Sequence, residues 1–255
     1  DPLFVLQWNL ENTGLSGALL DADIDAQEAW AVTQGEPGVV IAVIDSGVEW
    51  AHPDLKEHIA YNESDYAGTT GFDDDGNGFI DDIVGWDFDE NGNDPSSYAV
   101  HGTSVAGVIG AAGANGTGIA GIAGGGTLSA GCLVLPIAIG DPDPRSDLLD
   151  DAILYALDRG ADVITLSLSI NLDPAAQLAL AQAASQGVVV VCSAGNDLSS
   201  VSWPASDPNV IAVASTGKTD CASDFSSPGQ ALVDGGLAAP GEWIVTLGLF
   251  NWETG

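Results

Sequence analysis

Basic residues are nearly missing from this 255-residue chain. Four Lys and Arg stand against 37 Asp and Glu, a formal net charge of −33. That scarcity excludes a nucleic-acid partner, because phosphate binding needs clustered Lys and Arg. An anionic membrane surface would repel the chain for the same reason. Long apolar runs are missing too: none approaches the roughly 18 residues of a membrane span. No signal peptide shows at the start, and the opening DPLFVLQWNL reads as a mature N-terminus. Cysteine is scarce. Cys132, Cys192 and Cys221 allow at most one internal pair. Cys192 and Cys221 form it if the fold brings them together; three plain buried thiols are the other reading. Internal repeats and low-complexity linkers are also absent, so a single domain over 1–255 is expected.

Apolar residues are plentiful, at 45%, and mean hydropathy is +0.20, which excludes a disordered acidic tail. The charge opposes compaction by self-repulsion. Salt screening or bound divalent cations would offset it, and both suit a salty, extracellular setting. A merely solubilising surface is the plainer alternative.

Residues 1–35 read as an irregular lead-in with a short helix around Ala26 to Thr33. GVVIAVIDSG (38–47) is a β-branched apolar run, a buried strand ending at Asp45. Residues 54–98 are loop-like and strongly acidic. HGTSVAGVIGAAG (101–113) reads as a buried helix and GCLVLPIAI (131–139) as a second strand. SDLLDDAILYALDRG (146–160) is a helix with Ser146 as N-cap. ADVITLSLSI (161–170) is a third strand. DPAAQLALAQAASQG (173–187) is a helix with Pro174 in its first turn. GVVVVCSAGN (187–196) and NVIAVAS (209–215) complete the set. Strands alternating with helices predict an α/β fold, with a mostly parallel sheet and helices on both faces. Ligands of such sheets sit beyond the C-terminal strand ends, where Asp45 and Asn196 lie.

Three segments carry the chemistry. VIAVIDSGVEWAHPDL (40–55), HGTSVAG (101–107) and SAGN (193–196) resemble, in that order, the aspartate, histidine and oxyanion-asparagine motifs of the subtilisin-like serine proteases, the subtilases. Each alone is weak; an Asp after a strand or an Asn after Gly is commonly a turn residue. Together, and at matching structural positions, they are specific. The resemblance implies a serine endopeptidase with an Asp-His-Ser triad. A serine hydroxyl needs an adjacent base. His101 would take its proton, Asp45 would orient the imidazole, and the Asn196 amide would bind the oxyanion. His52 is expected to pack near the HPD turn and His58 to lie on the surface.

The family's serine lies in Gly-Thr-Ser-x-Ala-x-Pro, opening a buried helix. No such motif follows Asn196. Ser104 belongs to the histidine motif, and Ser226 and Ser227 precede a Pro in a loop. Since APG (239–241) resembles a stretch that precedes the serine motif, Gly255 is expected to be that motif's first Gly. The chain is then an incomplete catalytic domain, inactive alone. A catalytically inactive protein using the same scaffold to bind peptide or calcium is the alternative.

FDDDGNGFIDD (72–82) places Asp73, Asp75 and Asn77 at alternate positions before Gly78, with the Phe79 carbonyl and Asp81 next. This is the first part of an EF-hand-like Ca²⁺ loop. Val84 stands where the closing Glu belongs, so a calcium loop inserted in a larger domain is expected; a solvated acidic turn is the alternative. A second Ca²⁺ site is implied by the resemblance alone: Asp54 of HPDL, the Asn115 side chain, and backbone carbonyls near Thr117 and Ile119.

The resemblance also implies a protein or peptide substrate bound as an added strand. Ser167, Leu168 and Ser169 would line one edge, and Ser193, Ala194 and Gly195 the other wall. Ser169 stands where the family often has Gly. The acidic surface would steer cationic substrates. A propeptide, a secreted location and a monomeric state complete the expectation.

Overall fold

The computed structural model describes residues 1–96, 100–125, 131–140 and 143–249. The expected motif start at Gly255 lies outside them, as does the end of the 54–98 segment. In chain order the strands are β1 Val40–Asp45, β2 Trp86–Asp87, β3 Leu133–Ala138, β4 Val163–Leu166, β5 Val189–Ser193, β6 Ile211–Thr216 and β7 Leu237–Pro240. The helices are α1 Ala26–Trp30, α2 Glu63–Ala67, α3 Val100–Gly110, α4 Leu149–Asp158, α5 Pro174–Ser185 and α6 Gln230–Val233.

The seven strands form one sheet in the order β2-β3-β1-β4-β5-β6-β7, and every pairing is parallel. Parallel strands need helices on both faces. β1 shows how its sequence provides for that. Ala42 and Ile44 are fully buried with Leu135, Ile137 and the α4 residues Leu149 and Ile153. Val43, between them, is fully buried on the other face with Val134 and Ala106 of α3. Successive side chains of a strand point to opposite faces, so α4 and α5 cover one face and α3 the other. α5 is capped by the Asp173 carboxylate, which accepts from the Ala175 amide, and has Pro at its start.

Register decides where the site falls. Asp45 lies beside Ala138, Ile44 beside Leu166, and Leu166 beside Cys192. The C-terminal ends of β1, β4 and β5 therefore lie side by side.

Several expectations need correcting. Ser146 does not cap α4; it opens a 3-10 turn, Ser146–Leu148, that leads into the helix. His58 is buried, 3% exposed. The turn Lys56–His58 tucks its ring against the C-terminus of α3, where Nδ1 meets the Gly110 carbonyl at 3.0 Å. His52 is buried as expected, its Nδ1 accepting from the Asp54 amide. No disulfide forms: Cys132 and Cys192 are buried thiols, whereas Cys221 is exposed. Burial pushes the Cys192 thiol up to about 12, so it stays protonated and unreactive.

Candidate active site

Asp45 closes β1 and is 4% exposed. Its Oδ1 accepts from the Ser46 amide at 2.7 Å and meets His101 Nδ1 at 2.7 Å. His101 is the second residue of α3. What brings the helix so close is Gly102: a Cβ there would drive into the Gly47 carbonyl oxygen and approach Asp45 Oδ1 at 3.1 Å. The Gly102 amide also donates to Ser46 Oγ.

The two partners differ sharply in exposure. The Asp45 side chain is 3% exposed and that of His101 is 60% exposed. A buried acceptor thus holds Nδ1 while the rest of the ring faces the cleft. The carboxylate hydrogen bond raises the His101 pKa above the ordinary imidazole value, and desolvation opposes it only partly. A base whose Nδ1–H is fixed in this way presents Nε2 to whatever lies in front of it.

In front lies a cavity of about 600 Å³. His101, Ser167, Ser193, Ala194, Gly195 and Asn196 all line it. Of the expected substrate residues, Leu168 and Ser169 fall outside that lining: Leu168 is buried and accepts from Cys192 Sγ through its carbonyl, and Ser169 is exposed. Asn196 is exposed on the turn after β5. Gly195 makes that turn with φ +104°, a region favouring glycine, and a Cβ there would crowd Ser227 Oγ and Ser202 Oγ.

Among the described residues no hydroxyl is hydrogen-bonded to the His101 ring. Ser104 Oγ donates to the Leu247 carbonyl. Ser226 Oγ accepts from the Ser215 amide, and Ser227 Oγ donates to Asp197.

The expected cation ligands divide into two places. Asp54 is fully buried; its carboxylate accepts from Asn115 Nδ2 at 2.6 Å and the Ile119 amide at 3.0 Å. The Thr117 amide donates to Asn115 Oδ1. Asp54, Asn115, Thr117 and Ile119 are thus together, with both backbone contacts made through amides. Burial raises the Asp54 pKa, and the hydrogen bonds from Asn115 and Ile119 oppose this only partly. The oxygens this place offers a hard cation such as Ca²⁺ are those of the Asp54 carboxylate and the Asn115 side chain, and each already accepts from an N–H group.

In the acidic loop the arrangement differs from the expected one. The Asp73 carboxylate accepts from the amides of Gly78, Gly76 and Asn77, which lowers its pKa. Asp81 accepts from the Gly71 amide. Phe79 packs its ring against Trp86, Phe88 and Tyr155. Asn77 donates to Asp75 and Asp82. The carboxylates that converge are Asp65, Asp75 and Asp82, with oxygens within 4.8 Å of one another. Only Asp75 was in the expected set. Asp82 is fully buried and also receives Tyr155 Oη, Asn62 Nδ2 and the Arg159 guanidinium at 2.9 Å. Sequence spacing favours local ligands, so Asp65, brought in by α2, gave no signal. Asp82 could have been found as the polar residue adjoining the apolar Ile83 and Val84.

Comparison with known proteins follows the same lines. Residues 36–253 match the model of the subtilase family. The chain is 38% identical over 222 residues to the thermophilic serine proteinase of Bacillus sp. (strain AK1), covering 86% of this chain and 47% of that one. It is 35% identical over 223 residues to thermitase of Thermoactinomyces vulgaris, covering 87% and 69%. It is also 35% identical over 236 residues to the halolysin-like extracellular serine protease Nep of Natrialba magadii, covering 90% and 38%. The chain thus spans about half the length of the first of these relatives. Among solved structures, a protease of Pseudoalteromonas arctica aligns with TM-score 0.70 at 26% identity, over 94% of this chain and 71% of that one. The Aeromonas sobria serine protease, solved with its chaperone, aligns with TM-score 0.71 at 21% identity, over 98% and 44%; that likeness concerns the fold.

Proposed function

The chain belongs to the subtilase family, and on that footing we propose that it supplies the aspartate, histidine and oxyanion asparagine of a serine endopeptidase. The observation that carries this reading is the 2.7 Å contact between a buried Asp45 and a His101 ring open to a cavity shared with Asn196. The chemistry follows from the atoms. A hydroxyl in front of Nε2 loses its proton to His101 as its oxygen attacks the peptide carbonyl. The imidazolium so formed is stabilised by Asp45. The negative oxygen of the tetrahedral intermediate accepts from the Asn196 amide. His101 then gives its proton to the leaving amine. The hydroxyl itself is proposed to come from outside the described residues, because Ser104, Ser226 and Ser227 are engaged elsewhere.

The substrate would be an extended peptide entering beside β4, with Ser167 on one edge and Ser193, Ala194 and Gly195 on the other. A propeptide would occupy the same groove before maturation. Ca²⁺ would be held at Asp54 with Asn115 and the 117–119 backbone, and in the acidic loop by Asp75 with Asp65 and Asp82. The chemistry it would supply is neutralisation of clustered carboxylate charge. An extracellular location is in keeping with the acidic composition and the printed name of the Natrialba relative. No helix among the described residues is long and apolar enough to cross a membrane.

The test uses the full-length gene product. Labelling by a fluorophosphonate probe and hydrolysis of a denatured protein, both abolished by His101→Ala, are expected. A properly folded gene product that is neither labelled nor active would favour the non-catalytic binding reading instead.

A further inference from the structure

The two adjacent serines that lack a catalytic context, Ser226 and Ser227, join the sheet to the turn that carries Asn196. Ser226 faces the sheet: its Oγ accepts from the Ser215 amide of β6 at 2.9 Å. Ser223 reinforces this attachment, its amide donating to the Ser215 carbonyl and its Oγ meeting Ser215 Oγ at 2.7 Å. Ser227 faces the other way and is 1% exposed. Its amide donates to the Gly195 carbonyl at 2.9 Å and its Oγ to Asp197 Oδ1 at 2.9 Å. The same Asp197 oxygen accepts from the amide and Oγ of Ser199, at 3.0 and 2.6 Å. Asn196 is therefore held from both sides, through Gly195 and Asp197, by one buried serine.

That arrangement matters because Asn196 sits on an exposed turn with φ +104° at Gly195 and +59° at Leu198. An oxyanion donor contributes only if it is already aimed when charge develops; a mobile amide must be ordered at that moment, which removes part of its effect. We propose that Ser227 and Asp197 form a clasp that positions the Asn196 amide, making both positioning residues for the reaction. The inference rests on the peptidase reading above.

The clasp needs an acceptor at Asp197, not a charge. Asp197→Asn keeps an Oδ1 and should retain function, whereas Asp197→Ala and Ser227→Ala remove the contact. In the full-length gene product, each alanine variant is expected to lower kcat by about 5–20-fold with KM little changed. This is a fraction of the ~10²–10³ that losing such a donor outright costs in subtilisin, itself a subtilase. The double variant should cost no more than Asp197→Ala alone, since the contact that Ser227→Ala removes is already lost there. Hydrogen exchange of the Ser227 amide should quicken in Asp197→Ala and not in Asp197→Asn. Unchanged kcat in Asp197→Ala, in an active wild-type background, would overturn the clasp. A folded wild type without turnover would instead overturn the peptidase reading, and with it the catalytic meaning of the clasp, even with normal exchange at Ser227.

Discussion

Gly102 is where one hydrogen atom decides the geometry of the site. Its missing side chain lets α3 approach the Gly47 carbonyl, which sets the neighbouring His101 against Asp45. Gly102→Ala would push the helix N-terminus away from a backbone oxygen that cannot yield cheaply. The expected result is a loss of about 1–3 kcal/mol on denaturation, as for other overpacked sites, and a His101 ring no longer coupled to Asp45. Asn196 is the contrasting case. It is exposed and packs little, so Asn196→Ala should leave stability within about 0.5 kcal/mol yet reduce kcat of the active gene product by about 10²-fold or more. Denaturant titration beside steady-state kinetics separates the two behaviours.

At the scale of elements, the link between α4 and the acidic loop is the buried Asp82–Arg159 pair. Their side chains are 0% and 7% exposed, and Arg159 Nη1 also donates to the Asp82 carbonyl and Nη2 to that of Ala60. One of the chain's four basic residues is thus used inside the fold. Removing one member of such a pair leaves an uncompensated buried charge. Arg159→Ala should therefore cost about 3–5 kcal/mol in urea or guanidinium unfolding.

The interior elements were legible because their residues leave little choice. VIAVID is a β-branched run and LVLPIA an apolar one, both short as buried strands are, and α5 declares itself by Asp173 and Pro174. The sheet edges were not: β2 is two residues long and β7 is LAAP, and neither offers periodicity. Ser146 looked like a cap because its side chain can accept, but the chain inserts a 3-10 turn before α4. His58, which follows the charged Lys56 and Glu57, reads as a surface residue; the tertiary contact with Gly110 buries it. In the site, Asp45, His101 and Asn196 could be singled out because three segments in order resemble subtilase motifs, each at a strand or helix end. The contacts of Asp65 with Asp82 and of Ser227 with Asp197 join positions 17 and 30 residues apart, which local spacing does not encode.

Over the whole molecule the net charge of −33 dominates. Mutual repulsion of this size weakens as salt shortens the Debye length from about 10 Å at 0.1 M to about 3 Å at 1 M. Tm is expected to rise across that range of NaCl; a Tm independent of salt would mean that the charges are already neutralised locally. The proposed Ca²⁺ sites predict a second dependence. A site held at about 100 times its Kd adds about 2.7 kcal/mol, which for a domain of this size is roughly 5–10 °C in Tm. Chelation should remove that increment, and Ca²⁺ rather than Mg²⁺ should restore it, as followed by calorimetry.

Whether Asp45 and His101 act as one unit is tested most directly by the titration of the His101 ring, measured by NMR in the wild type and in Asp45→Asn. A raised folded pKa means that the pair contributes stability at pH below the unfolded value and loses it as pH rises through the folded one. The wild-type midpoint should lie above the ordinary 6.5, and Asp45→Asn should bring it down, because the remaining influence on the ring, desolvation, lowers it. A His101 midpoint that is not raised in the wild type, or that Asp45→Asn leaves unmoved in a folded protein, would contradict the account.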